Sequence, residues 1–172
     1  MLLVKQNKDR KVYKTSNSYL KTYTPNQRYD YDWLVETVKV IEKFMPGYVI
    51  DYGIKDNELY MDTKIIHGKT ALELWEELIK DPGLKRQIQP FVHNIIDFCI
   101  EQYNSTKPYS HGDWALCNII INQNSYNIID WDNVLKTRTD EDVYSIIKTK
   151  LNKTLGPYFD FQYFDSKFVL QT

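Results

Sequence analysis

The stretch that decides the reading is YSHGDWALCNIIINQNSYNIIDWDN, residues 109–133. Two short apolar runs, NIII (118–121) and YNIID (126–130), flank the polar turn 122–125 and read as a hairpin. His111-Gly112-Asp113 precedes the hairpin, Asn118 follows Asp113 by five residues, and Asp130 closes the second run. Asp113 leaves a strand end and enters a loop, where a carboxylate is placed to accept a hydroxyl proton. Asn118 brings a neutral oxygen and Asp130 a charged one. Amide and carboxylate oxygens meeting across a hairpin make a hard-oxygen site, suited to Mg²⁺ held together with phosphate oxygens.

Working outward, EDVYSIIKTKLN (141–152) has helical periodicity and leads into the aromatic tail PYFDFQYFDSKFVLQT (157–172). Upstream, TALELWEELIKD (70–81) reads as a helix with Thr70 as its cap. QIQPFVHNIIDFCIEQYN (87–104) reads as a second helix, apolar nearly all round and so expected at the centre of its lobe. His67-Gly68-Lys69 is a break. Before it the character changes to β-structure: LLVKQ, KVYKTS and YLKTYT are three strands separated by polar turns, and GYVIDYGI and ELYMDTKII are two more around residues 55–57. Between these groups, Leu34, Val38, Ile41 and Met45 repeat at helical spacing, with Asp30 or Asp32 near the N-cap and Pro46-Gly47 as the stop. The fold class is therefore α+β, with a β-rich lobe over residues 1–66 and a mainly helical lobe over 67–172.

The whole chain has 172 residues, 22 basic and 23 acidic, for a net charge of −1. Binding many phosphates needs a clear basic excess, so nucleic acid is excluded as the main partner. The charge is unevenly spread: residues 1–28 hold seven basic and one acidic side chain, whereas 67–172 hold 11 and 14. Cys99 and Cys117 are too isolated for a disulfide scaffold or a zinc site. The opening MLLVKQNKDR is no signal peptide and no window has ~18 uninterrupted apolar residues, so a cytoplasmic protein with reduced thiols and no membrane span is expected.

HGD, four residues, then Asn, followed by IIDWD, resembles the active site of the aminoglycoside phosphotransferase and choline kinase family, small-molecule members of the protein-kinase-like two-lobe fold. That resemblance implies a kinase using ATP as donor and Mg²⁺ as cofactor. Asp113 matches the catalytic base; Asn118 and Asp130 match the metal ligands. His111 matches a residue that braces the Asp130 region by hydrogen bonding. Asp132 either binds a second metal or finishes the strand, and the second role is favoured.

The resemblance also implies a β-lobe lysine on the phosphates and a helix glutamate to hold it. Lys21 is preferred to Lys14 for the first. Glu36, 15 residues on, is preferred to Glu42 for the second, although helical geometry sets it almost opposite the apolar stripe. Aligning the hinge at Gly68 places the backbone of Lys64, Ile65 and Ile66 against the adenine edge. One departure is plain: the turn over residues 7–11 has no glycine, and Arg10 and Lys11 would supply positive potential instead.

Only nine residues separate Asp130 from a helix starting near Asp140, too few for a peptide platform, so the acceptor is expected to be a small molecule. Its pocket is either open or closed by a second copy of the chain, as a homodimer. Trp114, Trp131, Asp132, Arg138, Tyr158, Phe159, Phe161, Tyr163 and Phe164 are candidate walls; for the tail aromatics, packing as the lobe's last apolar layer is favoured. The alternative to an active kinase is a pseudokinase that keeps the fold as a nucleotide-binding or interaction module.

Overall fold

The structure is a computed structural model describing residues 1–123, 125–136 and 139–167. It divides into two compact units, Met1–Ile66 and His67–Thr172.

The first unit is an antiparallel sheet of β1 (Leu2–Gln6), β2 (Arg10–Lys14), β3 (Ser18–Tyr23), β4 (Val49–Lys55) and β5 (Glu58–Lys64), in the order β1-β2-β3-β5-β4. The helix α1 (Tyr31–Phe44) is inserted between β3 and β4 in sequence. Its N-cap is Asp30, which accepts a hydrogen bond from the Trp33 amide at 2.7 Å. Leu34, Thr37, Val38, Val40 and Ile41 form the buried face. Burying each large aliphatic side chain contributes about 1.5–3 kcal/mol. Met45 lies just past the last turn, as the C-cap, with its amide on the Ile41 carbonyl. Tyr23, Tyr29 and Trp33 lock the start of the helix to β3, with ring centroids 4.9–5.1 Å apart.

The turn between β1 and β2 closes without glycine because the Asn7 carboxamide oxygen accepts from the amides of Asp9 and Arg10, at 3.0 and 2.8 Å. The β4–β5 turn instead uses Asp56 and Asn57 at φ 51° and 62°, the left-handed pair that a two-residue hairpin demands.

The second unit packs α2 (Ala71–Lys80), α3 (Lys85–Thr106), α4 (Asp140–Leu155) and α5 (Phe161–Lys167) around short strands. These strands are β6 (Lys69–Thr70), β7 (Tyr109–Ser110), β8 (Ile119–Asn122), β9 (Ser125–Ile128) and β10 (Leu135–Lys136). β6 pairs with β8 and β8 with β9, while β7 pairs with β10. The break at residues 67–69 thus runs directly into a strand. Thr70 then caps α2 through a reciprocal box with Glu73.

The long helix α3 corrects the expectation of an all-round apolar element. Ile88, Val92, Ile95, Ile96, Cys99, Ile100, Tyr103 and Thr106 are buried along one face, whereas Gln89, Asn94, Glu101 and Asn104 are exposed. Phe91 and Phe98, which made the pattern look continuous, flank the face half-buried. On α4 the stripe Val143, Ile147, Leu151, Leu155 faces the core. Within the aromatic tail Phe161–Lys167 forms α5, held to α3 by Tyr163 Oη on Asp97 at 2.8 Å and by stacking of Tyr163 on His93. Among the described residues no helix is long and apolar enough to cross a membrane.

Candidate active site

The HGD loop follows β7, and its conformation depends on one glycine. Gly112 has φ 75°, and a Cβ there would lie 2.0 Å from the Asn133 carbonyl oxygen. Only glycine lets the loop lie this close to the segment after Asp130. Beside it, His111 is completely buried. Its Nε2 donates to the Ile129 carbonyl at 2.8 Å, which leaves Nδ1 to accept the Asp113 amide at 3.3 Å. Burial pushes the imidazole pKa down to about 4, against the pull of the Ile129 carbonyl and the charges of Asp130 and Asp113. His111 is therefore a neutral strut joining the loop to the strand end, and Trp131 packs edge-on against its ring.

Asp113 is held at both carboxylate oxygens. Asn118 Nδ2 donates to Oδ2 at 3.2 Å and to the Asp113 carbonyl at 3.1 Å; Lys150 Nζ, from α4, lies 2.8 Å from Oδ1. Asn118 sits at the end of a short 3₁₀ turn, and its carbonyl accepts the Ile129 amide at 2.8 Å. The hairpin register, Ile119 opposite Ile128, thus brings residues 113, 118 and 130 into one neighbourhood. Asp130 has φ 64° and ψ 54°, a left-handed conformation uncommon for a non-glycine residue. Asp132 is buried in the 3₁₀ turn that follows.

Among the described residues no group of three or more His, Cys, Asp or Glu side chains is arranged to hold a metal. That does not disfavour Mg²⁺, which protein sites hold through one or two carboxylates while substrate phosphates and water complete the shell. The donor chemistry fits. With its Nδ2 turned to Asp113, the Asn118 side chain has its oxygen, which the Cys117 thiol approaches at 3.7 Å, as the hard donor it could offer, and Asp130 follows Ile129, whose amide bonds the Asn118 carbonyl.

The residues expected to serve the nucleotide, Lys21, Glu36 and 64–66, lie in the first unit. Lys21 is buried on β3, with Val12 and Met61 as cross-strand neighbours. Tyr23, two residues on, meets Trp33, so Lys21 projects from the face that α1 covers. Glu36 is exposed and its Oε1 accepts from Lys39 Nζ at 2.7 Å. Glu42, the other candidate, has both oxygens occupied by the amides of Gly47 and Val49, at 2.8 and 3.2 Å. It organises the turn after α1. The Lys64 amide donates to the Tyr48 carbonyl at 2.9 Å, and that of Ile65 to Asn17 at 3.3 Å. Those two donors are therefore committed within the unit; Ile66 is half-buried at its end. Lys11 is paired with Glu58 at 3.1 Å.

Two candidate pocket walls are corrected. Trp114 and Trp131 are fully buried, with indole N–H groups on Ser110 Oγ and the Ile128 carbonyl, so they are core posts behind the loop. Phe159 and Phe164 are buried as well; Tyr158 and Phe161 are about half exposed, and Arg138 lies outside the described residues. Sequence reasoning missed Lys150, which lies 37 residues from Asp113. Its position beside the Ile147 and Leu151 stripe was the available signal.

Neither a family model nor a curated protein matches this sequence. Solved structures do resemble the fold. One is WaaP in complex with acyl carrier protein, at 10% identity and TM-score 0.65, covering 97% of this chain and 76% of that one. Another is the bifunctional kinase-methyltransferase WbdD, at 11% identity and TM-score 0.55, covering 95% of this chain. The chain spans 43% of that WbdD structure. The fold is kinase-like.

Proposed function

We propose that this chain is an ATP- and Mg²⁺-dependent phosphotransferase acting on a hydroxyl of a small molecule, such as a sugar, amino alcohol or aminoglycoside, in the manner of the aminoglycoside phosphotransferase and choline kinase family. The observation that carries the reading is the bonded array of His111, Asp113, Asn118 and Ile129-Asp130 within a kinase-like fold. Asp113 would orient the acceptor hydroxyl. As the new bond to the γ-phosphorus forms and the bond to the bridging oxygen breaks, the hydroxyl proton passes to the Asp113 carboxylate and ADP leaves. Asn118 and Asp130 would hold Mg²⁺, which when bound supplies charge neutralisation at the phosphate oxygens.

In the first unit, Lys21 is assigned to the phosphates and Glu36 to Lys21. Nucleotide-base contacts fall to Ile66 and to backbone carbonyls around Lys64, since the Lys64 and Ile65 amides are occupied. The short passage from Asp130 to α4 supports a small acceptor.

A second reading is a pseudokinase serving as a nucleotide-binding or interaction module. It is favoured by the engagement of both Asp113 oxygens by protein donors. A nucleotide-consumption screen over sugars, nucleosides, aminoglycosides and choline analogues separates the two. An active kinase consumes ATP with at least one acceptor, and Asp113→Asn lowers turnover by roughly 10²–10⁴-fold while Mg²⁺–ATP binding persists. Binding without consumption across the panel selects the pseudokinase; full turnover by Asp113→Asn removes Asp113 from the chemistry.

A further inference from the structure

Lys150 is the one side chain that reaches Asp113 from outside the segment 109–133 in the bonds described above. Its ammonium lies 2.8 Å from Asp113 Oδ1, and its side chain is 43% exposed against 27% for Asp113. An ion pair this open adds little to stability, because solvent screens it and ordering a long side chain costs entropy. The placement is nonetheless specific. Val143, Ile147 and Leu151 fix the rotation of α4 by burying one stripe, and residue 150 falls at the edge of that stripe.

The loop between Asp113 and Asn118 reads Trp-Ala-Leu-Cys and carries no cation. A site that gathers Asp113, Asp130 and the negative charge of a phosphoryl group needs positive charge close to the transferring atoms. An ammonium with three donors, one of them on the base, meets that need from a neighbouring helix.

We propose that Lys150 is a phosphoryl-contacting catalytic residue that at rest is parked on Asp113. This rests on the phosphotransferase reading. As the acceptor enters, the ammonium exchanges its bond to Asp113 Oδ1 for one to an oxygen of the transferring γ-phosphoryl group and keeps all three of its protons. The acceptor oxygen bonds to phosphorus, the bond to the bridging oxygen breaks, and the hydroxyl proton goes to the freed carboxylate of Asp113. The engagement of Asp113 that favours a pseudokinase is, on this account, the resting state of an active site.

The test needs no knowledge of the acceptor. Affinities for Mg²⁺–ADP and for Mg²⁺–ADP with aluminium fluoride, a mimic of the phosphoryl group in flight, are measured on the wild type, Lys150→Met, Lys150→Arg and Lys153→Met. Lys153, exposed one turn along α4, is the control for general charge loss. The wild type should gain affinity when fluoride and aluminium are added. Lys150→Met should lose most of that gain, by about 10²-fold, with Mg²⁺–ADP affinity and melting temperature unchanged. Lys150→Arg should keep part of it and Lys153→Met all of it. Retention of the full gain by Lys150→Met overturns the proposal and leaves the kinase reading standing. A wild type that binds Mg²⁺–ADP with no gain selects the pseudokinase and overturns the proposal too. Failure of the wild type to bind either complex overturns both.

Discussion

Two turns, one in each unit, are built on opposite principles. The β1–β2 turn is exposed and closed by the Asn7 side chain, which takes two backbone amides. The loop at residues 111–113 lies against the chain around Asn133 and depends on a glycine with no room for a Cβ. The first tolerates many sequences because water satisfies whatever the side chain does not. The second tolerates few, because its neighbours are the closely apposed Asn133 backbone and a buried neutral imidazole. Geometric precision is thus concentrated in the second unit, around Asp113.

The strongest way to break this comparison is Gly112→Ala. Positive φ and the collision with the Asn133 carbonyl together should cost about 4 kcal/mol, read as a fall in thermal or denaturant midpoint of the second unit. A variant as stable as the wild type would show that the loop is looser than its geometry implies.

Acid titration is the next sharpest. The His111 pKa is lowered to about 4 in the folded chain against 6.5 when unfolded, so the unfolded state binds the extra proton between those values. Stability is therefore full above pH 6.5 and falls as pH drops toward 4, by about 3 kcal/mol in all. The carboxylates with lowered pKa, Glu73, Asp140, Asp160 and Asp165, add their losses below their ordinary values of 4.5 for Glu and 3.8 for Asp, as they protonate through their folded values. His111→Gln should flatten the pH 6.5–4 part of the curve and leave the more acid part.

Within the first unit, Glu42→Ala should cost about 2 kcal/mol in the denaturation midpoint of that unit, since two backbone amides lose a charged acceptor. Asn7→Ala should be mildest, at about 1 kcal/mol or less by the same measure, because water replaces the lost bonds. An Asn7 effect larger than that of Gly112→Ala would invert the comparison.

Much of the fold was legible because periodicity reports burial one element at a time. The five strands follow from segments rich in Val, Leu, Tyr and Thr set off by polar turns, and α1 from Leu34, Val38 and Ile41 at helical spacing. The α3 face was misjudged for the same reason: Phe91 and Phe98 are apolar but only half-buried, and hydrophobicity does not say how far round a helix its neighbours reach. The strand pairs β6–β8 and β7–β10 were invisible because two-residue strands have no period.

By itself the sequence determined which residues the proposed site would use. Asp113, Asn118 and Asp130 are fixed by type and spacing, and a hairpin of that length returns one to the others through local chain geometry. Only the tertiary structure decided what surrounds them. The tautomer of His111 follows from the Ile129 carbonyl, the tie of Glu42 to two amides from the turn after α1, and the cation on Asp113 from the rotation of a helix 37 residues away. These are contacts between segments distant along the chain, set by how buried faces pack, and no local pattern of residues encodes them.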